Sequence, residues 1–207
     1  IIDFAHNYLK LGLPTRIEPL RLDDYNQVIF PLSSQIRMQF PKRGAGLPAC
    51  EILWRDGSDA VPALDQKYYN SDASGKLVPP RLGRAGSILH RKDEQFVIHR
   101  GSHSSASRLY PRASMMDYKR ALKAPSGGLD HMQSFIQACM GNGKTSSPFS
   151  VGGPLTQLLM LGVIAQYLNE GFNFDRDTER ITNNPEADAL LDGPKPRKGW
   201  EHYYTSV

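Results

Sequence analysis

Between residues 128 and 168 the chain carries two helices in succession, and whatever else it forms must accommodate them. Leu129, Met132, Phe135, Ile136, Cys139 and Met140 recur every three or four positions, the spacing of one apolar stripe on an α-helix. Gly141 and Gly143 end that pattern, as glycine does where the chain turns left-handed past a helix. Gly153 and Pro154 open the second helix, because a first helical turn has no use for the N–H that proline lacks. From 158 to 165 every residue is apolar, which predicts burial on more than one face. Each Leu fully buried there contributes about 1.5–3 kcal/mol. The first stripe is expected in the same core, where Phe135→Ala would cost on the order of 3–5 kcal/mol.

The rest of the chain reads as strands and loops. Residues 1–11 predict a helix with no capping residue before it, the start expected of a cut chain. A strand follows at 16–22. In 34–40, Ile36, Met38 and Phe40 alternate with Gln35, Arg37 and Gln39, the period of a half-buried strand. A Gly-containing turn leads to a further strand at 49–55 that sets Cys50, Ile52 and Trp54 on one side. Residues 56–86 are rich in Gly, Pro, Ser and Asp with no sustained period, a connection long enough to suggest a functional loop. A hairpin is predicted from 87–90 and 95–100, then a short helix near 115–122. Asn184 and Pro185 cap a last short helix through Leu191. Mostly antiparallel strands with helices gathered on one face make an α+β domain built on a large open sheet.

Composition narrows the function. With 25 basic and 21 acidic residues interspersed, the net charge of +4 describes a solvated surface rather than a nucleic-acid footprint. The apolar run 158–165 falls short of the ~20 residues that span a bilayer, so no membrane partner is expected. Cys50 and Cys139 form no CxxC pair and read as small buried hydrophobes. The six histidines give no metal-ligand set: His99 and His103 are split by Gly101. The stretch 138–145, Ala-Cys-Met-Gly-Asn-Gly-Lys-Thr, matches a loose phosphate loop, yet a helix precedes it where a strand is needed. It reads as a helix stop. His131 stands beside Asp130 at a helix start, and Asp56 ends a strand. In the basic, aromatic tail, Trp200 reads as an anchor on the domain surface.

Several segments carry a resemblance when taken in order: 11–18, Leu-Gly-Leu-Pro-Thr-Arg-Ile-Glu; 52–57, Ile-Leu-Trp-Arg-Asp-Gly; His131 through Phe135 to Cys139; 147–149 with 153–156; 182–187, Thr-Asn-Asn-Pro-Glu-Ala; and 196–201, Pro-Arg-Lys-Gly-Trp-Glu. Together they resemble the C-terminal domain of the Gfo/Idh/MocA oxidoreductases. The resemblance implies a parent that oxidises a sugar or polyol with NAD(P), and a homodimer formed through the sheet. It also implies that the Rossmann domain, with its GxGxxG loop and Glu-Lys-Pro lysine, and the histidine of a D-x-G-x-H-x-x-D pattern belong upstream of Ile1. Only Asp3 matches that pattern, as its last acid. No catalytic or cofactor-binding residue is therefore expected on this chain, and no NAD(P) on it alone; Asp3, His6, Asp56 and His131 are the substrate-side candidates. The alternative is a free-standing assembly module. The compartment stays undecided.

Overall fold

A computed structural model describes residues 1–44, 46–58, 60–102, 106–121, 130–145 and 147–203, apart from the side chains of 117, 119–121 and 131. In chain order the elements are α1 (Ile2–Tyr8), β1 (Arg16–Asp23), β2 (Ser33–Phe40), β3 (Cys50–Asp56), β4 (Asn70–Ser71), β5 (Leu77–Val78), β6 (Gly86–His90), β7 (Val97–Gly101), β8 (Arg108–Tyr110), α2 (Arg112–Ala121), α3 (His131–Cys139), α4 (Phe149–Leu168), β9 (Phe172–Asp175), β10 (Arg180–Ile181) and α5 (Pro185–Ala189). Helix and strand take nearly equal shares, about 28% and 26%, with antiparallel pairing, so the fold is α+β. The strands form three sheets of five, two and three strands. The chain divides into two compact units, one of Ile1–Gly12 with Arg55–Gln157, the other of Leu13–Trp54 with Leu158–Val207.

The second unit holds the five-stranded sheet, in the order β10-β9-β1-β2-β3. Arg16 pairs with Gln39 and Glu18 with Arg37 across β1 and β2, and Ile17 faces Phe172 across β1 and β9. One face therefore gathers Ile17, Ile36, Met38, Phe40, Phe172 and Phe174, all buried. Over the same unit, α4 buries Leu158, Leu161, Gly162, Ile164 and Ala165. A Cβ on Gly162 would stand 2.8 Å from the Met38 methyl, so the helix rides close on β2 there. Two polar ties fix it: Gln166 Nε2 donates to Ser34 Oγ at 2.6 Å, and the Tyr25 hydroxyl donates to the Tyr167 carbonyl at 2.8 Å. The apolar run does not bury several faces, however. Met160 and Tyr167 stay on the open side, because the sheet covers one side of the helix and, among the described residues of this unit, no second layer covers the other. Nor do Gly153 and Pro154 open the helix: it begins at Phe149 with Pro154 inside it, and its twenty uncharged residues would suffice, by length and composition alone, to cross a membrane.

At the sheet's β10 edge, Asn184 caps α5 by accepting from the Ala187 N–H at 3.0 Å, with Pro185 in the first turn, as its sequence predicts. Arg180 on β10 then reaches Asp188 at 2.6 Å and Asp192 at 2.6 Å, and Asp188 also accepts the Ile181 N–H at 2.8 Å.

The first unit is a patchwork. Its three-stranded sheet runs β6-β7-β8, and a small cluster of Leu64, Tyr68, Val97 and Tyr110 is flanked by Leu82 and Ile88. A Cβ on Gly86 would meet the Arg100 carbonyl at 2.4 Å, so only glycine fits where β6 crosses β7. The Arg100 guanidinium sits 4.7 Å over the Phe4 ring of α1.

In this unit α3 overturns an expectation. Met132, Phe135, Ile136 and Met140 are all at least half exposed, and Cys139 is exposed too. The stripe is present, but no described surface lies against it. Cys50 is half-buried, with Arg43 Nη1 donating to its sulfur at 3.1 Å. The expected membership of Leu129 in the stripe falls outside the described residues, as do His103 and Tyr204.

Candidate functional site

The four residues singled out in the sequence lie in the first unit. Asp3 and His6 share α1, three positions apart and thus neighbours along one side. Asp3 is exposed. His6 is buried, and its Nε2 stands 3.2 Å from the Gly12 carbonyl, which closes the turn after the helix. That contact is structural in character. Asp56 ends β3, half-buried. His131 is the first residue of α3, following the Asp130 cap, which accepts from the Met132 and Gln133 N–H groups at 2.8 and 3.0 Å; the His131 side chain lies outside the described part. These residues occupy three separate elements, α1, β3 and α3. Among the described residues no cluster of three or more His, Cys, Asp or Glu is placed to hold a metal. A shallow recess of about 430 Å³ is lined by Arg91, Lys92 and Asp93, none of the four.

The loose phosphate loop resolves as a helix stop. Gly141 adopts a left-handed φ of 77°, its N–H donates to the Ala138 carbonyl at 3.1 Å, and the Asn142 N–H donates to the Gln137 carbonyl at 2.9 Å. Those are the paired bonds of a Schellman motif, whose donors are spent on the helix's own carbonyls. No dinucleotide cradle forms there. In the tail, Trp200 is half exposed and rests against Tyr203 at 5.4 Å and under Arg197 at 5.6 Å, rather than being anchored in the domain.

Two polar groupings escaped the sequence. The first lies on the sheet face opposite the apolar one. Arg16 reaches the Glu18 carboxylate at 3.0 Å, Arg37 reaches its other oxygen at 3.1 Å, and Arg37 Nε faces Glu51 at 3.5 Å. Arg16 also donates to Asn173 Oδ1 at 3.0 Å, joining β9 to the row. The hydrogen bond from Arg16, seconded by Arg37, holds the Glu18 carboxyl below its ordinary range, although burial works the other way. Arg37 Nε is buried without a hydrogen bond; the Glu51 oxygen is within ion-pair range but does not satisfy it. A strand-by-strand reading marks Arg37 only as solvent-facing, and the signal that identifies the row is opposite charge at facing positions across antiparallel strands.

The second grouping is His99, buried on β7 opposite Arg108, with Nδ1 unpartnered and the Tyr110 ring 6.1 Å away. Burial first, and the Arg108 charge second, hold its pKa below the ordinary 6.5. No family model, no curated protein and no solved structure matches the chain.

Proposed function

We propose that this chain is the substrate-side, self-associating C-terminal domain of an NAD(P)-dependent sugar or polyol oxidoreductase of the Gfo/Idh/MocA type. One observation carries the reading: the resembling segments follow one another in order along the elements of an α+β fold. Residues 11–18 lead from α1 into β1, 52–57 close β3, 131–139 make α3, 153–156 lie in the first half of α4, and 182–187 cap α5.

The polar sheet face supports the substrate-side role. Arg16, Glu18, Arg37 and Asn173 offer donors and acceptors in fixed register, the chemistry that recognises a polyhydroxy ligand. The cofactor is a different matter. The described residues hold no glycine-rich strand-to-helix turn, and in the stretch 138–145 the N–H groups of Gly141 and Asn142 are spent on α3 carbonyls. In the parent the nicotinamide would accept hydride, a step to which this chain contributes no residue.

The chain alone is therefore expected to fold and to leave sugars unoxidised. Incubation with a panel of sugars and polyols and either nicotinamide cofactor, followed at the reduced cofactor's absorbance, tests this. Turnover by the 207 residues would sink the reading. A coding sequence upstream of Ile1 that carries a strand–GxGxxG–helix supports it, and an unrelated domain there favours the second reading, a self-associating module without catalysis. That reading is favoured by one specific observation: Val28, Ile29, Phe30 and Leu32, between β1 and β2, are exposed apolar side chains. In both readings the chain pairs with a second copy through its sheet.

A further inference from the structure

Between β1 and β2, within the second unit, Val28 is 90% exposed and Ile29, Phe30 and Leu32 about 70% each. From Tyr25 to Ile36 no residue is charged, although 22% of the chain is. The loop is held in shape. Asn26 Oδ1 accepts from the Val28 and Ile29 N–H groups at 2.9 and 3.0 Å, and the Leu32 N–H closes on the Asp23 carbonyl at 3.0 Å. Pro31 has no N–H, so three of the four N–H groups from Val28 to Leu32 are bound inside the loop. Hydrocarbon requires such bonds, because it cannot solvate a free backbone donor. The Tyr25 hydroxyl ties the root of the loop to the Tyr167 carbonyl of α4, and from Leu158 to Leu168 that helix again carries no charge.

We infer that this loop dips into one leaflet of a neutral lipid bilayer, with the exposed Tyr167 behind it at headgroup level, so that the chain lies on a membrane without crossing it. Tyrosine favours that level because its ring is apolar and its hydroxyl is not. An apolar run too short to span a bilayer is no bar, since a loop that enters one leaflet need not reach the other. A protein partner is the poorer occupant. At roughly 100 Å² per side chain of this size, the four offer about 300 Å². Each side of a stable protein interface buries about 800 Å². In a bilayer, binding simply scales with the apolar area that enters. An anionic surface is disfavoured by charge: no basic residue lies between Arg21 and Arg37, Arg21 is paired with Asp23, and Asp24 is exposed at the root. The inference depends on neither functional reading and leaves the polar sheet face free to pair.

Vesicles of neutral phosphatidylcholine are expected to carry the chain upward in a flotation gradient, equally at low and high salt. Phe30→Asp and Ile29→Asp are expected to lower the bound fraction by about tenfold or more, with circular dichroism unchanged because both side chains are exposed. Leu77→Asp, at an exposed apolar position on β5, should leave binding unchanged. In Phe30→Trp, bromine on the lipid acyl chains is expected to quench emission that it leaves untouched in the parent, whose tryptophans are Trp54 and Trp200. No flotation at any lipid concentration overturns the inference, as do flotation lost at high salt and folded tip variants that float like the parent. A dimer by light scattering that Phe30→Asp dissolves, without flotation, also overturns it and gives the loop to a second copy, as the self-associating module requires. None of these outcomes bears on the oxidoreductase reading, which the turnover assay tests separately.

Discussion

Helix α3 carries one apolar stripe and helix α4 an unbroken apolar run, and the two meet opposite fates. In α4, Leu158, Leu161 and Ala165 are fully buried, because the five-stranded sheet lays Met38 and its neighbours under them. In α3 the corresponding stripe faces outward. Periodicity fixes which side of a helix is apolar, but burial needs a second surface of matching area. The first unit, with short strands and one small cluster, supplies none that the described residues show.

The sharpest way to break this contrast is to truncate both helices. Leu161→Ala should cost about 2–5 kcal/mol in urea unfolding, since it leaves a cavity against the sheet. A cost under 1 kcal/mol would mean that α4 does not back the sheet. Next in size comes the pH response of the first unit. His99 is held neutral in the folded chain below its ordinary 6.5, while the unfolded chain takes up the proton near that value. Its contribution is thus complete above about pH 6.5 and declines as pH falls below it. Between pH 7 and 5, His99→Gln should flatten the stability profile relative to the parent; parallel profiles would show that the buried ring does not titrate differently on folding. The smallest effect belongs to α3. Phe135→Ala, measured where the chain is monomeric, should lie within about 0.5 kcal/mol of the parent, an order of magnitude below the cost its stripe suggests. A larger loss would place Phe135 in a core.

How much of this was legible follows from the range over which each signal acts. Alternation in Ile36, Met38 and Phe40 gave β2, and the Asn184-Pro185 pair gave the start of α5, because both depend only on near neighbours. The strands β9 and β10 were missed, since four residues and two residues are too short to show a period. They are defined by pairing, Phe172 against Ile17 and Arg180 against Asp175, across long stretches of chain. The Glu18 row was hidden for the same reason. Arg16, Arg37, Glu51 and Asn173 become neighbours only once the strand order is known. Of the site candidates, Asp3 came with the resemblance, Asp56 was read from its place at a strand end, and His6, chosen as a substrate-side residue, closes a helix end instead.

The clamp on Arg180 has a consequence for the sheet's borders. Strand β10 is two residues long, and its arginine is committed to Asp188 and Asp192 on the segment that follows. So short a rim gives an incoming extended peptide almost no backbone to copy. The opposite rim, β3, runs seven residues but bears Glu51, Arg55 and Asp56. Fibre growth by added strands is thereby blocked by length on one side and discouraged by charge on the other.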